Sequence, residues 1–181
     1  MKAGSVEALS DTSMVLSPND VQLLPAPTVA KAFDPATGSL NLHSFRFENH
    51  VATATLVDAL KILHGQGSKL KALILDNVKL VRDEVFYEAP QGIFSDLESI
   101  SWNAVQGLGD KTLEFLAVNC PRLHSLCMSF CTRISEKGLE KVGKGCPALA
   151  TLILRNCNQL GDAALTVIGE TMGKTLTTLN K

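Results

Sequence analysis

Cys120, His124, Cys127 and Cys131 lie close together in the sequence, and cysteine and histidine are the side chains that most often bind zinc. A tetrahedral zinc site needs ligands that converge on one point. The repeat described below places Cys120 at a helix end, points Cys127 outward from a strand and turns Cys131 inward. We therefore expect no metal here, and we interpret Cys131, like Cys157, as a small buried side chain.

Two further sequence patterns could indicate a phosphate-binding loop or a catalytic triad, but each lacks a feature that the motif requires. The segment 169–175 resembles a phosphate-binding loop, yet it has one residue too few between Gly169 and Gly173, and it ends a helix instead of opening one. None of the histidines is spaced from a Ser, Cys or carboxylate as in a catalytic triad; they are His43, His50, His64 and His124. We expect no catalytic residues and no cofactor, and we predict that the protein is not an enzyme.

The composition narrows the functional classes. The chain has 181 residues and a net charge of −1, whereas nucleic-acid and anionic-membrane binders carry a dense basic face. No apolar run has the length of a membrane span, and residues 1–30 lack the pattern of a signal peptide. The 27 leucines alongside only 5 % aromatic residues favour repetition of one small packing unit.

An internal repeat supplies the structural elements. Leu97, Leu123 and Leu149 follow one another at 26-residue intervals, and each begins a segment with the same apolar spacing. Similar units begin at Leu70 and, more weakly, at Leu42, where Phe45 aligns with Leu73 of the next unit; Leu176 opens a sixth. Each unit is predicted to form a strand, a turn and a helix, because apolar residues alternate first and then recur at helical spacing.

The repeated pattern L-x-x-L-x-L-x-x-C/V-x-x-L/I-x-D-x-x-L-x-x-L resembles the leucine-rich repeat. Cysteine at the ninth position and Cys-Pro before the next unit are similar to the cysteine-containing subfamily of F-box/leucine-rich-repeat proteins. The resemblance covers residues 42–181. It implies an α/β solenoid, with a curved parallel sheet on the concave side and helices on the convex side, whose usual role is protein binding.

Within each unit, single positions have predicted roles. Asp83, Asp110 and Asp162 share one position before the helix, where a carboxylate can accept a hydrogen bond from the first turn. Ser135 is the better helix cap in the fourth unit, where Glu136 fills the aspartate position. Pro90 and Gly92 break the helical pattern of the second unit, so we expect an irregular convex segment there. 

We divide the chain into residues 1–39, a partly disordered N-terminal tail or cap, and residues 40–181, a domain of five repeats and the start of a sixth. The proline-rich residues 1–39 are too few to form an F-box, although residues 21–29 are apolar enough to pack over the first unit. At the other end, we expect the strand over residues 175–181 either to continue into further chain or to be covered by a partner. The odd number of cysteines favours a reducing compartment.

The sequence therefore predicts a non-enzymatic scaffold or assembly subunit of a larger complex, with cytoskeletal or axonemal assemblies among the candidates. The alternative is a substrate-recognition component of an SCF-type ubiquitin ligase, with a Skp1-like adaptor as partner. We expect protein partners, no nucleic acid and no membrane, in the cytoplasm, with the cilium, axoneme and nucleus as further locations. The predicted protein-binding residues project from the concave face: Arg46, Glu48, Ile74, Asp76, Ser101, Asn103, Cys127, Ser129, Phe130, Ile153 and Arg155.

Overall fold

Strands and helices alternate along the chain in the computed structural model, which describes residues 23–43 and 51–181. The helices are α1 Ala26–Ala30, α2 Thr53–Gly65, α3 Glu84–Glu88, α4 Asp110–Asn119, α5 Glu136–Gly145 and α6 Asp162–Met172. The strands are β1 Phe33–Asp34, β2 Ser39–Asn41, β3 Ala72–Ile74, β4 Ser99–Ser101, β5 Ser125–Cys127, β6 Thr151–Ile153 and β7 Thr178–Asn180.

The strands form one sheet in the order of the sequence, from β1 to β7. β1 and β2 form an antiparallel hairpin, and every later pair is parallel. Parallel neighbours require a crossover, which from β2 to β7 is the helix that follows each strand. The predicted α/β class with a parallel sheet is confirmed, and each unit contacts mainly the next unit along the chain.

One apolar column of the sheet forms the centre of the core. The middle residue of each strand from β2 to β6 is at most 1 % exposed and pairs with the middle residue of its neighbour. These residues are Leu40, Leu73, Ile100, Leu126 and Leu152. Because side chains alternate along a strand, the residues on either side of each one project from the opposite face.

The strand predicted for the first unit was placed five residues too late. Phe45 was aligned with Leu73, but Leu40 pairs with Leu73. Apolar residues alternate with polar ones both at Leu40-x-Leu42 and at Phe45-x-Phe47, so the alternation alone does not show which segment forms the strand. The predicted boundary between residues 39 and 40 falls within β2, and α1, which includes the fully buried Val29, packs against α2.

In the second and third units, the aspartate before the helix holds neighbouring units together instead of capping its own helix. Asp83 Oδ1 accepts hydrogen bonds from the backbone N–H of Gly109 at 2.9 Å and from Thr112 Oγ1 at 2.6 Å, both in the next unit. Asp110 Oδ1 likewise accepts from Ser135 N at 2.8 Å. The prediction that Asp83 and Asp110 cap their own helices is wrong, because α3 and α4 have no side-chain cap hydrogen bond and both carboxylates accept from the following unit instead.

Other local predictions for the helices are confirmed. The Ser135 side chain accepts a hydrogen bond from Lys137 N and caps α5. The helix of the second unit is short, since α3 spans only Glu84–Glu88 and residues 91–96 form turns. By contrast, α4 and α5 approach closely, and glycine permits this approach. A side chain at Gly138 would overlap Asp110, and one at Gly145 would overlap the Ala117 carbonyl.

Candidate functional site

The open face of the sheet is the surface formed by the strand side chains that point away from the buried column, together with the residues just after β3 to β6. Asp76 and Asn103 occupy the same position after β3 and β4, and Ser129 and Arg155 follow β5 and β6 in the same way. Successive strands are hydrogen-bonded neighbours, so these positions form a continuous column across the sheet.

A network of hydrogen bonds connects this column from strand to strand. Asp76 Oδ1 accepts from Ser101 Oγ at 2.5 Å, from the backbone N–H of Asn103 at 2.9 Å and from Asn103 Nδ2 at 3.1 Å. Asn103 Oδ1 in turn accepts from the backbone N–H of Ser129 at 2.7 Å and from Cys127 Sγ at 3.2 Å. The polar side chains in the middle of the open face are therefore held in fixed positions by one another.

The predicted binding residues differ in how accessible they are. Phe130 and Arg155 are exposed, whereas Ser129 is only 6 % exposed. Arg46 and Glu48 lie outside the described residues, and Asn41 stands opposite Ile74, where Arg46 was placed. The remaining members of the set are half-buried: Ile74, Asp76, Ser101, Asn103, Cys127 and Ile153.

A second repeated feature of the open face was not recognised from the sequence. Asn77, Ala104, Phe130 and Asn156 share one position of the unit, and all have a left-handed backbone, with φ between 56° and 63°. Asparagine tolerates this conformation, whereas an aromatic residue in it is a true outlier. Asparagine at two of the four positions was the available signal for a left-handed turn.

The left-handed turns are imposed by the sheet. The backbone N–H of Phe130 donates to the Arg155 carbonyl at 2.8 Å, and the N–H of Ala104 donates to the Ser129 carbonyl at 2.8 Å. The turns at Asn77, Ala104 and Phe130 are therefore tied to the next unit through their main chains. Phe130 adopts a disfavoured conformation while its side chain remains 53 % exposed.

The thiols divide into buried and accessible groups. Burial raises the pKa of Cys120 from 9.0 to about 12, and the nearby Cys146 contributes to this rise. Burial also raises the pKa of Cys131 to about 12 and that of Cys146 to about 11. Of the five free cysteines, four are buried and Cys127 is half-buried. The buried thiols stay protonated at neutral pH and are not nucleophiles.

We predict that Cys127 alone reacts rapidly with an aromatic disulfide reagent at pH 8, since the other thiols are buried and the thiolate is the reactive form. The absorbance of the released thiol should show one fast equivalent per chain, with the remainder appearing only in denaturant. Cys127→Ser is the control and should remove the fast phase. Any fast equivalent that remains in that variant would contradict the burial of the other four thiols.

No group of three or more His, Cys, Asp or Glu side chains within residues 23–43 and 51–181 is arranged to hold a metal ion. Across the same residues, none of the helices is both long enough and apolar enough to cross a membrane.

Comparison with known proteins supports the fold. No family model matches the sequence, and no curated protein has significant sequence similarity to it. A chain in the crystal structure of the Rad7 and Elc1 complex in yeast is similar to this one, with 22 % identity and a TM-score of 0.55 over 72 % of this chain. This chain covers only 36 % of that protein's chain. The second neighbour is actin-binding site 2 of leiomodin-1, with 16 % identity and a TM-score of 0.45, covering 86 % of this chain and 76 % of that one. The first similarity supports a repeated α/β fold.

Proposed function

We propose that this protein is a leucine-rich-repeat interaction module of the cysteine-containing type, and that it binds a protein partner through the open face as a non-enzymatic subunit of a larger complex. The observation that carries the proposal is the conformation of Phe130, an exposed aromatic side chain on a left-handed backbone. The five free cysteines fit a cytoplasmic, axonemal or nuclear location.

Phe130 is unfavourable for the isolated chain. The left-handed conformation costs a bulky residue on the order of 1–2 kcal/mol, and an aromatic ring that is 53 % exposed recovers little of this through burial. Asn77 and Asn156 show that the fold accepts a relaxed residue at the same position. A contact between the Phe130 ring and a partner explains why this position carries an aromatic side chain, since aromatic residues are frequent binding anchors.

The surroundings of Phe130 suit recognition of a folded partner. The network around Asp76 and Asn103 holds its donors and acceptors in place before any partner arrives. Arg155, whose carbonyl accepts the Phe130 N–H, is exposed and adds a positive charge to the same part of the open face. A preformed surface loses little conformational entropy on binding, which favours affinity for a given contact area.

We predict that Phe130→Asn raises the free energy of unfolding by about 0.5–1 kcal/mol, because asparagine relieves the left-handed strain. The same substitution should weaken partner binding at least tenfold, because the apolar anchor is lost. Urea denaturation measures the first effect. The second is measured by affinity capture of the native partner on the wild-type and variant chains, followed by titration of that partner.

Leu165→Ala is the matched control, because Leu165 is an exposed apolar side chain on α6, away from the open face. It should leave partner binding unchanged. If Phe130→Asn binds the partner as tightly as wild type, the open face is not the interface. If it unfolds more easily than wild type, the strain argument is wrong.

The ubiquitin-ligase alternative makes a different prediction about partners. One structurally similar chain comes from a complex of Rad7 with Elc1, and its presence in a complex with another protein is the reason to test the alternative here. Recovery of a Skp1-like adaptor with this chain would support the ligase role over the scaffold role. Substrate turnover that requires Cys127 or His124 would instead contradict the non-enzymatic proposal.

A further inference from the structure

The helix side of the second unit is incomplete. α3 ends at Glu88, because the residue before Pro90 is driven into an extended conformation, and residues 91–96 continue as turns. The side of α4 that faces α3 is therefore covered by less than a full helix. A notch of about 450 Å³ opens there, with Phe86, Tyr87, Phe94, Phe115, Val118 and Pro121 among its lining residues. Its volume is within the range of pockets that bind ligands, about 300–1,000 Å³.

The floor of the notch is aromatic. The Phe115 ring lies 5.6 Å from those of Phe86 and Phe94 and 5.4 Å from that of Tyr87, measured between ring centroids. Two side chains on the rim remain largely exposed, Tyr87 at 55 % and Val118 at 77 %. The Tyr87 hydroxyl donates a hydrogen bond to the Lys111 carbonyl at 2.8 Å, which holds the ring at the border of the notch.

Carboxylates surround the other side of Tyr87. An adjoining depression is lined by Tyr87, Lys111 and four acidic residues, Asp83, Glu84, Glu88 and Glu114. Arg133 contacts Asp83, and Lys141 pairs with Glu114 at 3.1 Å. Within the described part of the chain, Glu84 and Glu88 have no ion-pair partner, and both are exposed. Glu84 and Glu88 are therefore the carboxylates left to pair with a cation at this depression, since Asp83 and Glu114 are already paired.

We propose that the notch and its carboxylates form a second docking site, which binds a short peptide segment of a partner protein carrying one large apolar side chain flanked by lysine or arginine. The aromatic floor accepts the apolar side chain, and Glu84 and Glu88 pair with the basic flanks. The charge complementarity selects a basic segment. This site lies on the helix side, so it does not depend on the open face being an interface.

Fluorescent nonapeptides test the proposal with the full chain. One peptide carries a single phenylalanine between two pairs of arginines, with glycine spacers. A second replaces phenylalanine with alanine, and a third replaces the arginines with glutamates. Fluorescence anisotropy should show binding of the first peptide in the micromolar to millimolar range, about tenfold tighter than the second, with no binding of the third. The affinity should fall as salt is raised, because exposed ion pairs are screened.

Variants of exposed residues locate the bound peptide. The double variant Glu84→Gln, Glu88→Gln should weaken the first peptide about fivefold, because each exposed ion pair contributes only modestly. Val118→Glu, which places a charge on the rim of the notch, should remove the preference for phenylalanine over alanine. Glu170→Gln, on the exposed surface of α6, is the control and should bind like wild type.

Three results would overturn the proposal: no binding of the first peptide at millimolar concentration, equal binding of the phenylalanine and alanine peptides, or equal weakening by Glu170→Gln. A concentration-dependent dimer that Val118→Glu abolishes would assign the notch to a second copy of this chain instead. Partner binding that survives Phe130→Asn, together with the expected peptide binding, would contradict only the open-face interface.

Discussion

Leu126→Ala should lower the free energy of unfolding by about 3–5 kcal/mol, the range seen when a fully buried leucine is truncated in a well-packed core. Leu126 is 0 % exposed and lies in β5, between Ile100 of β4 and Leu152 of β6. These neighbours are held by main-chain hydrogen bonds on both sides, so they cannot close the cavity that the smaller side chain leaves. Urea denaturation followed by circular dichroism measures the loss.

Ser125→Ala is the matched control, because Ser125 is the preceding residue of the same strand and projects from the open face. It is half-buried, and its replacement should change the free energy of unfolding by no more than about 0.5 kcal/mol. Equal losses in the two variants would mean that the register of β5 is wrong. A Leu126→Ala chain as stable as wild type would mean that the column is not the core.

Asp83→Ala should lower the free energy of unfolding by about 2–4 kcal/mol. The carboxylate is 3 % exposed, and its Oδ1 accepts hydrogen bonds from Gly109 N, Thr112 N and Thr112 Oγ1. Arg133 approaches its other oxygen at 3.3 Å. Removal leaves buried donors at the start of α4 without an acceptor, and each unsatisfied donor costs about 1–3 kcal/mol.

Asp162→Ala is the matched control, because Asp162 has the same position in the last helix-containing unit but is exposed, with no side-chain hydrogen bond to a described residue. It should lose at most about 1 kcal/mol, the contribution of a carboxylate near a helix N-terminus. Asp83→Asn keeps an acceptor oxygen and should lie between the two alanine variants. Similar losses for Asp83→Ala and Asp162→Ala would show that the carboxylate acts within its own unit.

The repeat made most of the fold predictable. Apolar residues recur so regularly at Leu97, Leu123 and Leu149 that strand, helix and chain-order pairing all follow from the spacing. The short length of α3 was predictable from Pro90 and Gly92, because these residues interrupt a helix whatever its tertiary surroundings. The first strand was misplaced, since Leu40-x-Leu42 and Phe45-x-Phe47 alternate equally well, and only pairing with β3 distinguishes them.

The functional surfaces depended far more on tertiary structure. The sequence by itself determined which strand residues point away from the core, because the alternation of side chains along a strand is a local property. The structure alone decided that Ser129 is buried by its neighbours, that Asp83 reaches the next unit, and that Phe130 is both exposed and strained. It also decided that a shortened helix leaves an apolar notch beside unpaired carboxylates. These features arise from contacts between units about 26 residues apart in the chain, and no pattern within a single unit contains that information.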